Sequence, residues 1–182
     1  MGSKCIGIDI GGTTVKIGIF TTEGQLLEKW EVPTRKENNG NQILPDVAAS
    51  IEKKLKKMGI DKADVVGAGM GVPGPVLPDG SVEVCVNLGW KNANPQKELS
   101  GLLGGMLVRS GNDANVAALG EMWQGGGKGY RDIVMVTLGT GVGGGVIIDE
   151  KIIAGRHGLA GEIGHIHVRD EETENCLSLI HI

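Results

Sequence analysis

Ile8-Asp9-Ile10-Gly11-Gly12-Thr13-Thr14-Val15-Lys16 is the segment that most clearly indicates how this chain folds. Its glycines lie between two apolar, β-branched runs, Cys5–Ile8 and Val15–Phe20, and this pattern predicts two strands joined by a glycine-rich turn. Glycine lets a backbone approach a phosphate closely, and the free N–H groups of such a turn form an anion-binding concavity. We therefore expect this loop to bind phosphate.

A second loop of the same kind is Thr137-Leu138-Gly139-Thr140-Gly141-Val142-Gly143-Gly144-Gly145. It also lies between apolar runs, Ile133–Val136 and Val146–Ile148. Alignment of the two loops places Gly11 opposite Gly139, which indicates a weak internal repeat. Two such loops facing one another would hold a polyphosphate between two halves of a molecule, as an ATP-dependent kinase does.

Other interpretations of the glycines are less favoured. Gly139, Gly141 and Gly144 match the dinucleotide fingerprint, but that fingerprint requires a helix directly afterwards, and residues 145–150 predict a strand and a turn. The absence of any Gly-Lys-Ser/Thr sequence excludes a Walker-type P-loop. A further alternative is that the glycines serve only to form tight hairpins. This alternative remains open for either loop alone and is weaker for the two loops together.

Composition restricts the class of protein. Glycine accounts for 32 of the 182 residues, well over twice its usual share of about 7%. A net charge of −4 and an aromatic content of 3% argue against binding to nucleic acid or to anionic membranes. Three scattered cysteines, Cys5, Cys85 and Cys176, do not make a disulfide framework. With no leader or membrane-spanning segment in the sequence, we expect a cytoplasmic protein.

Periodicity along the chain predicts an α/β domain followed by the start of a second one. The expected strands are Cys5–Ile8, Val15–Phe20, Leu26–Val32, Val65–Met70 and Met106–Arg109. The expected helices are Pro45–Met58, one that begins at Asn94, and Ala114–Trp123. Glycines cluster at residues 125–130, where the hairpin pattern restarts. We expect a first domain over residues 1–125, part of a second over residues 126–176, and a non-native tail over residues 177–182.

Five motifs in this order resemble the ROK family (repressors, open reading frames, kinases), and most closely its bacterial glucokinases. They are Asp9-x-Gly-Gly-Thr-x-x-Lys16, Gly71-Val-Pro-Gly-Pro75, Asn112-Asp-Ala-Asn-Val-Ala-Ala-Leu-Gly-Glu121, Thr137-Leu-Gly-Thr-Gly141 and Gly161-Glu-Ile-Gly-His165. The resemblance runs from Cys5 to about Cys176. It implies the actin-like ATPase fold, in which two ribonuclease H-like α/β domains hold ATP and a sugar between them, here with the first domain complete and the second partial.

The resemblance also implies an activity, the ATP-dependent phosphorylation of glucose at its 6-hydroxyl, the first step of glycolysis. Alternatives are a kinase for another hexose, such as N-acetylmannosamine or fructose, or a sugar-responsive regulator without its DNA-binding domain. The family's repressors carry a helix-turn-helix domain before the first glycine loop, and only a few residues precede Cys5 here. The full-length family members imply a homo-oligomer, a dimer or a tetramer.

Asp113 is the expected catalytic residue. Transfer of a phosphoryl group to a sugar hydroxyl needs a carboxylate that orients the hydroxyl and accepts its proton. Asp113 follows a predicted strand and begins a predicted helix, and Asp and Asn are also common helix N-caps, so the local sequence alone leaves both roles open. The resemblance favours catalysis.

Further site residues follow from the resemblance. The sugar contacts that it implies are Gly74, Asn87, Asn112, Asp113, Glu162 and His165. The residues that it places at the nucleotide are Asp9, Gly11, Gly12, Thr13, Thr14, Lys16, Thr140 and Gly141. Asp9 is expected to face the Mg²⁺–phosphate complex, directly or through water. For Lys16, a phosphate contact and an exposed strand position are both open.

A structural zinc ion is a further property of the family, held by one histidine and three cysteines. His165 and Cys176 match two of these ligands, and the sequence after Cys176 departs from the family's pattern. Since a structural zinc site needs four ligands, we expect no stable zinc in this chain and one in its full-length parent. The resemblance also implies that the rest of the second domain is missing, so we expect the 182-residue chain to have little or no kinase activity.

Overall fold

The structure is a computed structural model that describes residues 2–139 and 141–166. Its contacts divide it into two compact units, the first ending at Asp113 and the second beginning at Ala114. The strands of the first unit are β1 (Lys4–Ile10), β2 (Thr14–Thr21), β3 (Leu26–Pro33), β4 (Val65–Val72), β5 (Val82–Cys85), β6 (Trp90–Ala93) and β7 (Val108–Asn112). Its helices are α1 (Ile43–Met58) and α2 (Pro95–Leu102).

The main sheet of the first unit has five strands in the order β3-β2-β1-β4-β7. β2 is antiparallel to both β1 and β3, whereas β4 is parallel to β1 and β7 is parallel to β4. The first three strands therefore form a meander, and the others need crossovers, which α1 and α2 provide. This arrangement agrees with the α/β class that the sequence predicts.

Alternating isoleucines build the core of this sheet. Ile6 and Ile8 of β1 lie directly opposite Ile19 and Ile17 of β2, and all four side chains are at most 4% exposed. One stripe of α1 adds further buried residues to the same cluster, namely Ile43, Val47, Ile51 and Leu55. Because this stripe repeats with the period of a helix, the sequence predicts α1 well.

The end of α1 shows how a glycine stops a helix. Gly59 has a left-handed φ of 66°, and its N–H donates to the carbonyl groups of Leu55 and Lys56. A side chain with a Cβ is strained in this conformation, so glycine is the usual residue directly after a helix. The predicted end of the helix at Met58 is confirmed, and its start lies two residues earlier than Pro45, at Ile43.

The second unit begins with α3 (Asp113–Gln124), a helix whose first residue alone belongs to the first unit. Its strands among the described residues are β8 (Ile133–Leu138), β9 (Val142–Ile148) and β10 (Lys151–Ile152), in the order β10-β9-β8. All of their pairings are antiparallel. The meander of β8, β9 and β10 repeats that of β1, β2 and β3, as the alignment of the two glycine loops predicts, and a strand follows the second loop, as expected from residues 145–150.

Close packing explains the glycines of β9. A Cβ added to Gly145 would lie 2.6 Å from the Cβ of Ala118, and one added to Gly143 would lie 3.3 Å from the Cβ of Ala114. Both alanines belong to α3, so the helix lies directly against β9. Most of α3 accordingly lies in the second unit, which begins at Ala114.

The β5–β6 hairpin is absent from the sequence prediction. Its strands have four residues each and pair in antiparallel fashion, with Cys85 opposite Trp90. Runs this short carry little periodicity.

Among the described residues, none of the helices has the length and apolar character that a membrane span requires.

We predict that Gly145→Ala destabilises the second unit by about 1–3 kcal/mol, because the added methyl group has no room against α3. Gly120→Ala is the matched control, since Gly120 lies in α3 with open space around it, and alanine there should raise stability by up to about 1 kcal/mol. Urea unfolding of both variants measures the difference. Equal stabilities would contradict the close helix–sheet packing.

Candidate active site

Three parallel strands of the first unit end at the same edge of the main sheet. β1 runs into the loop of residues 11–13, β4 runs into the turn at Pro73 and Gly74, and β7 runs directly into Asp113. Ligands of open α/β sheets bind beyond the carboxyl ends of the strands. The topology therefore brings the expected phosphate loop and the expected catalytic carboxylate to one edge.

Asn112 connects Asp113 to the turn after β4. The Asn112 side chain is 9% exposed, and its Nδ2 donates to Oδ1 of Asp113 at 3.1 Å and to the carbonyl of Gly74 at 3.4 Å. Asn112 also lies opposite Val72 in the sheet register. A buried amide with these partners fixes the orientation of the exposed Asp113 carboxylate. The structure thus brings Gly74, Asn112 and Asp113 together.

Cys85 lies beneath the same turn and is a residue that sequence reasoning missed as part of the site. Its thiol is buried and donates to the carbonyl of Pro73 at 3.3 Å, and a Cβ on Gly74 would lie 3.5 Å from its sulfur. Burial raises the pKa of the Cys85 thiol, and the negative charge of Asp113 raises it further, against a lowering by the backbone N–H groups of Leu88 and Asn87. Cys85 therefore stays neutral near neutral pH.

Asn87 belongs to the segment between β5 and β6, two residues after Cys85. Its side chain is exposed, and its backbone N–H is one of those near the Cys85 sulfur. The hairpin that carries Asn87 is thus held close to the Pro73–Gly74 turn. The only sequence signal for Cys85 itself is a cysteine within a short β-branched run.

The phosphate loop of the first unit is a tight turn between β1 and β2. The N–H of Gly11 donates to the carbonyl of Thr14 at 3.0 Å, and a Cβ on Gly12 would have no neighbour within 4 Å. Asp9 and Lys16 lie directly opposite each other in the strand register, and both are exposed. The loop therefore has open space in front of Gly12, with one side chain of each sign next to it.

The residues present fit a bound Mg²⁺ ion. Mg²⁺ takes one or two carboxylates and completes its coordination with phosphate oxygens and water. Asp9 supplies an exposed carboxylate two residues before Gly11, where phosphate is expected. For zinc, the part of the chain that the structure describes holds no group of three or more His, Cys, Asp or Glu side chains placed to bind a metal. Cys176 lies outside the described residues.

The second unit positions its own expected site residues around β9. Gly139 donates its N–H to the carbonyl of Gly141 at 2.9 Å, which tightens the second loop, and Thr140 lies outside the described residues. Glu162 and His165 flank a short 3₁₀ turn, and the N–H of His165 donates to the carbonyl of Glu162 at 3.1 Å. Glu162 is half-buried and His165 is exposed.

A glycine holds the segment of Glu162 against β9. Gly161 has a φ of 87°, and a Cβ there would lie 2.8 Å from the carbonyl oxygen of Gly144. Any other residue at this position would be strained and would push the segment away from the strand. Glu162 therefore follows a backbone position that only glycine fits.

Comparisons with known proteins show what this chain is similar to. The model of the ROK family matches residues 5–177. A glucokinase of Halalkalibacterium halodurans is 42% identical over 172 residues, which cover 94% of this chain and 52% of that protein. An N-acetyl-D-glucosamine kinase of Yersinia enterocolitica is 34% identical over 165 residues, which cover 89% of this chain and 52% of that protein.

A solved structure supports the same relationship. A ROK family glucokinase from Streptomyces griseus in complex with glucose and AMPPNP has a TM-score of 0.78 and 36% identity, and the match covers 91% of this chain and 51% of that one. This likeness confirms the actin-like ATPase fold that the motifs imply. The chain spans about half the length of the relatives that it matches.

We predict that the buried Cys85 thiol makes stability depend on alkaline pH. Its pKa is higher in the folded chain than in the unfolded one, so its contribution is complete below about pH 8.5 and is lost as the pH rises through the folded pKa. Urea unfolding at about pH 7 and about pH 10 measures this effect. Between the two pH values, the free energy of unfolding should fall less for Cys85→Ala than for the parent chain.

A Cys5→Ala background makes this comparison specific, because partial burial also raises the pKa of Cys5. If the chain with Cys85 and the chain without it lose the same free energy of unfolding between the two pH values, the neutral buried thiol is ruled out.

Proposed function

The chain belongs to the ROK family, and we propose that the protein that contains it is a cytoplasmic glucokinase, which transfers the γ-phosphoryl group of ATP to the 6-hydroxyl of glucose. The observation that carries the proposal is the position of Asp113 at the carboxyl end of β7, with its carboxylate bonded by the buried Asn112 next to the turn at Gly74. The glucokinase of Halalkalibacterium halodurans, at 42% identity, supports glucose as the substrate.

Asp113 acts as the general base in this proposal. Its exposed carboxylate accepts the proton of the sugar hydroxyl and aims the oxygen at the terminal phosphorus. Phosphoryl transfer passes through a loose transition state, so orientation of the hydroxyl matters more than strong basicity. The hydrogen bond from Asn112 serves this orientation. It holds Oδ1 of Asp113 in place and so sets the direction of the other carboxylate oxygen.

Sugar recognition is assigned to side chains that both donate and accept hydrogen bonds. Asn112, Asn87 and His165 have this property, the carboxylate of Glu162 accepts, and Gly74 contributes the turn that lies against Cys85. A site that pairs each sugar hydroxyl rejects analogues that lack one, because its polar groups are then left unpaired. These residues are therefore proposed to set the specificity for the hexose.

Nucleotide binding is assigned to the two glycine loops. Backbone N–H groups and hydroxyls are proposed to hold the phosphates, from Gly11, Gly12, Thr13, Thr14, Thr140 and Gly141. Lys16, exposed opposite Asp9, adds a positive charge on the same strand pair. Asp9 would hold Mg²⁺, which neutralises charge on the phosphate oxygens when it is bound.

A kinase for another hexose is the second candidate. The N-acetyl-D-glucosamine kinase of Yersinia enterocolitica, at 34% identity, is the observation that favours it. N-acetylmannosamine and fructose are further substrates to compare. A screen of these sugars with ATP on the full-length protein separates the candidates, and the proposal requires the highest kcat/KM for glucose.

We predict that Asp113→Asn lowers kcat by roughly 10²–10⁴-fold, because asparagine keeps the shape and cannot accept the proton. The assay follows ATP-dependent formation of glucose 6-phosphate by the full-length protein. Asp64→Asn is the matched control, since Asp64 is an exposed aspartate of the same unit that precedes β4. We expect the 182-residue chain, assayed beside it, to show little or no turnover.

Unchanged thermal stability of Asp113→Asn would confirm that the loss is chemical, as the Asp113 side chain is exposed. If Asp113→Asn keeps the turnover of the parent protein, Asp113 is not the base. If the full-length protein forms no phosphorylated sugar from any of the hexoses, the kinase proposal fails as a whole.

A further inference from the structure

Thr34 is a buried polar residue that the site described above does not use. It follows the last residue of β3, Pro33, and is 9% exposed. Among the described residues of the first unit, it shares the class of buried polar side chains only with Asn112. A buried hydroxyl is costly unless it forms a hydrogen bond, so its partners indicate what it is for.

The hydroxyl and the backbone N–H of Thr34 both donate to the first glycine loop. Its Oγ1 donates to the carbonyl of Gly11 at 2.7 Å, and its backbone N–H donates to the carbonyl of Thr13 at 2.9 Å. The loop's own turn uses a third carbonyl, because the N–H of Gly11 donates to the carbonyl of Thr14. Thr34 therefore binds the acceptor side of the loop at two points.

The donor side of the loop is left open. Within residues 2–139 and 141–166, the N–H groups of Gly12 and Thr13 donate to no protein acceptor. A Cβ on Gly12 would meet nothing within 4 Å, so the space in front of it is accessible. With its carbonyls turned towards Thr34 and its N–H groups open, the loop presents positive partial charge to a ligand.

We propose that Thr34 is a positioning residue for polyphosphate, which sets the orientation of the Gly11–Thr13 peptide groups so that N–H groups, and not carbonyl oxygens, face the nucleotide phosphates. This inference rests on the proposed function, since it concerns the same phosphate loop. The hydroxyl of Thr34 does not contact the phosphate. It acts through the carbonyl of Gly11, which without this bond is free to turn towards the anion.

The decisive variant is Thr34→Val, which keeps the shape and the backbone N–H of residue 34 and removes only the hydroxyl. We expect it to raise the KM for MgATP in the full-length protein by roughly tenfold, the effect of one lost buried hydrogen bond. The KM for glucose should stay within about twofold. Thr34→Ser, which keeps a hydroxyl, should restore most of the nucleotide affinity.

Two controls make the result specific. Thr22→Val removes a threonine hydroxyl from an exposed position after β2, where it donates to Glu23, and should change neither KM. If Thr34→Val does not fold, Thr34→Ala makes the same comparison with Thr34→Ser. Calorimetric titration with MgATP is run in parallel, so that nucleotide binding is measured without turnover.

The outcomes separate the inference from the proposed function. A selective rise in the KM for MgATP, with rescue by serine, supports the positioning role. Equal rises in both KM values, or a lower kcat with both KM values unchanged, show a merely structural role and overturn it. The parent protein could also show no turnover and yet bind MgATP more tightly than Thr34→Val does. That result supports the positioning role of Thr34 and overturns the kinase proposal. A parent protein that does not bind MgATP overturns both.

Discussion

Parallel pairing of β1 with β4 and of β4 with β7 is the constraint on which the first unit depends. Strands that run in the same direction end at the same edge, so the residues that follow them meet there, although they are far apart in the sequence. The glycine loop, the Pro73–Gly74 turn and Asp113 are such residues. The buried isoleucines of β1 and β2 fix the register between these two strands, since a shift by one residue would turn them towards solvent.

Two buried polar side chains refine what the strands bring together. Asn112 bonds to the Asp113 carboxylate and to the turn after β4, and Thr34 bonds to carbonyls of the loop after β1. Each lies directly beside a segment that the proposal assigns to the ligand. Their bonds fix the direction of groups that are themselves flexible, namely a carboxylate and a glycine-rich backbone. In both places a polar atom within the core determines which way the surface group faces.

Local pattern explains what the sequence predicts and what it does not. The two hairpins and α1 follow from glycine position and apolar period, because turns and amphipathic helices are encoded by neighbouring residues. The close approach of Gly145 to Ala118 joins a strand and a helix that are far apart in the sequence, which no local pattern encodes. Cys85 comes beneath Gly74 only because the β5–β6 hairpin folds back on the turn after β4. The motifs predict a catalytic role for Asp113, but only the structure shows its hydrogen bond with Asn112.

The thiol of Cys85 gives this region an intrinsic spectroscopic label. An S–H group that donates to a carbonyl absorbs in an infrared window where water and the peptide backbone interfere little, and its frequency follows the strength of that bond. The acceptor here is the carbonyl of Pro73. The carbonyl of the next residue, Gly74, accepts a hydrogen bond from Nδ2 of Asn112. In a chain whose Cys5 and Cys176 are replaced, small movements of the turn therefore change the S–H frequency of Cys85, without a dye or an isotope.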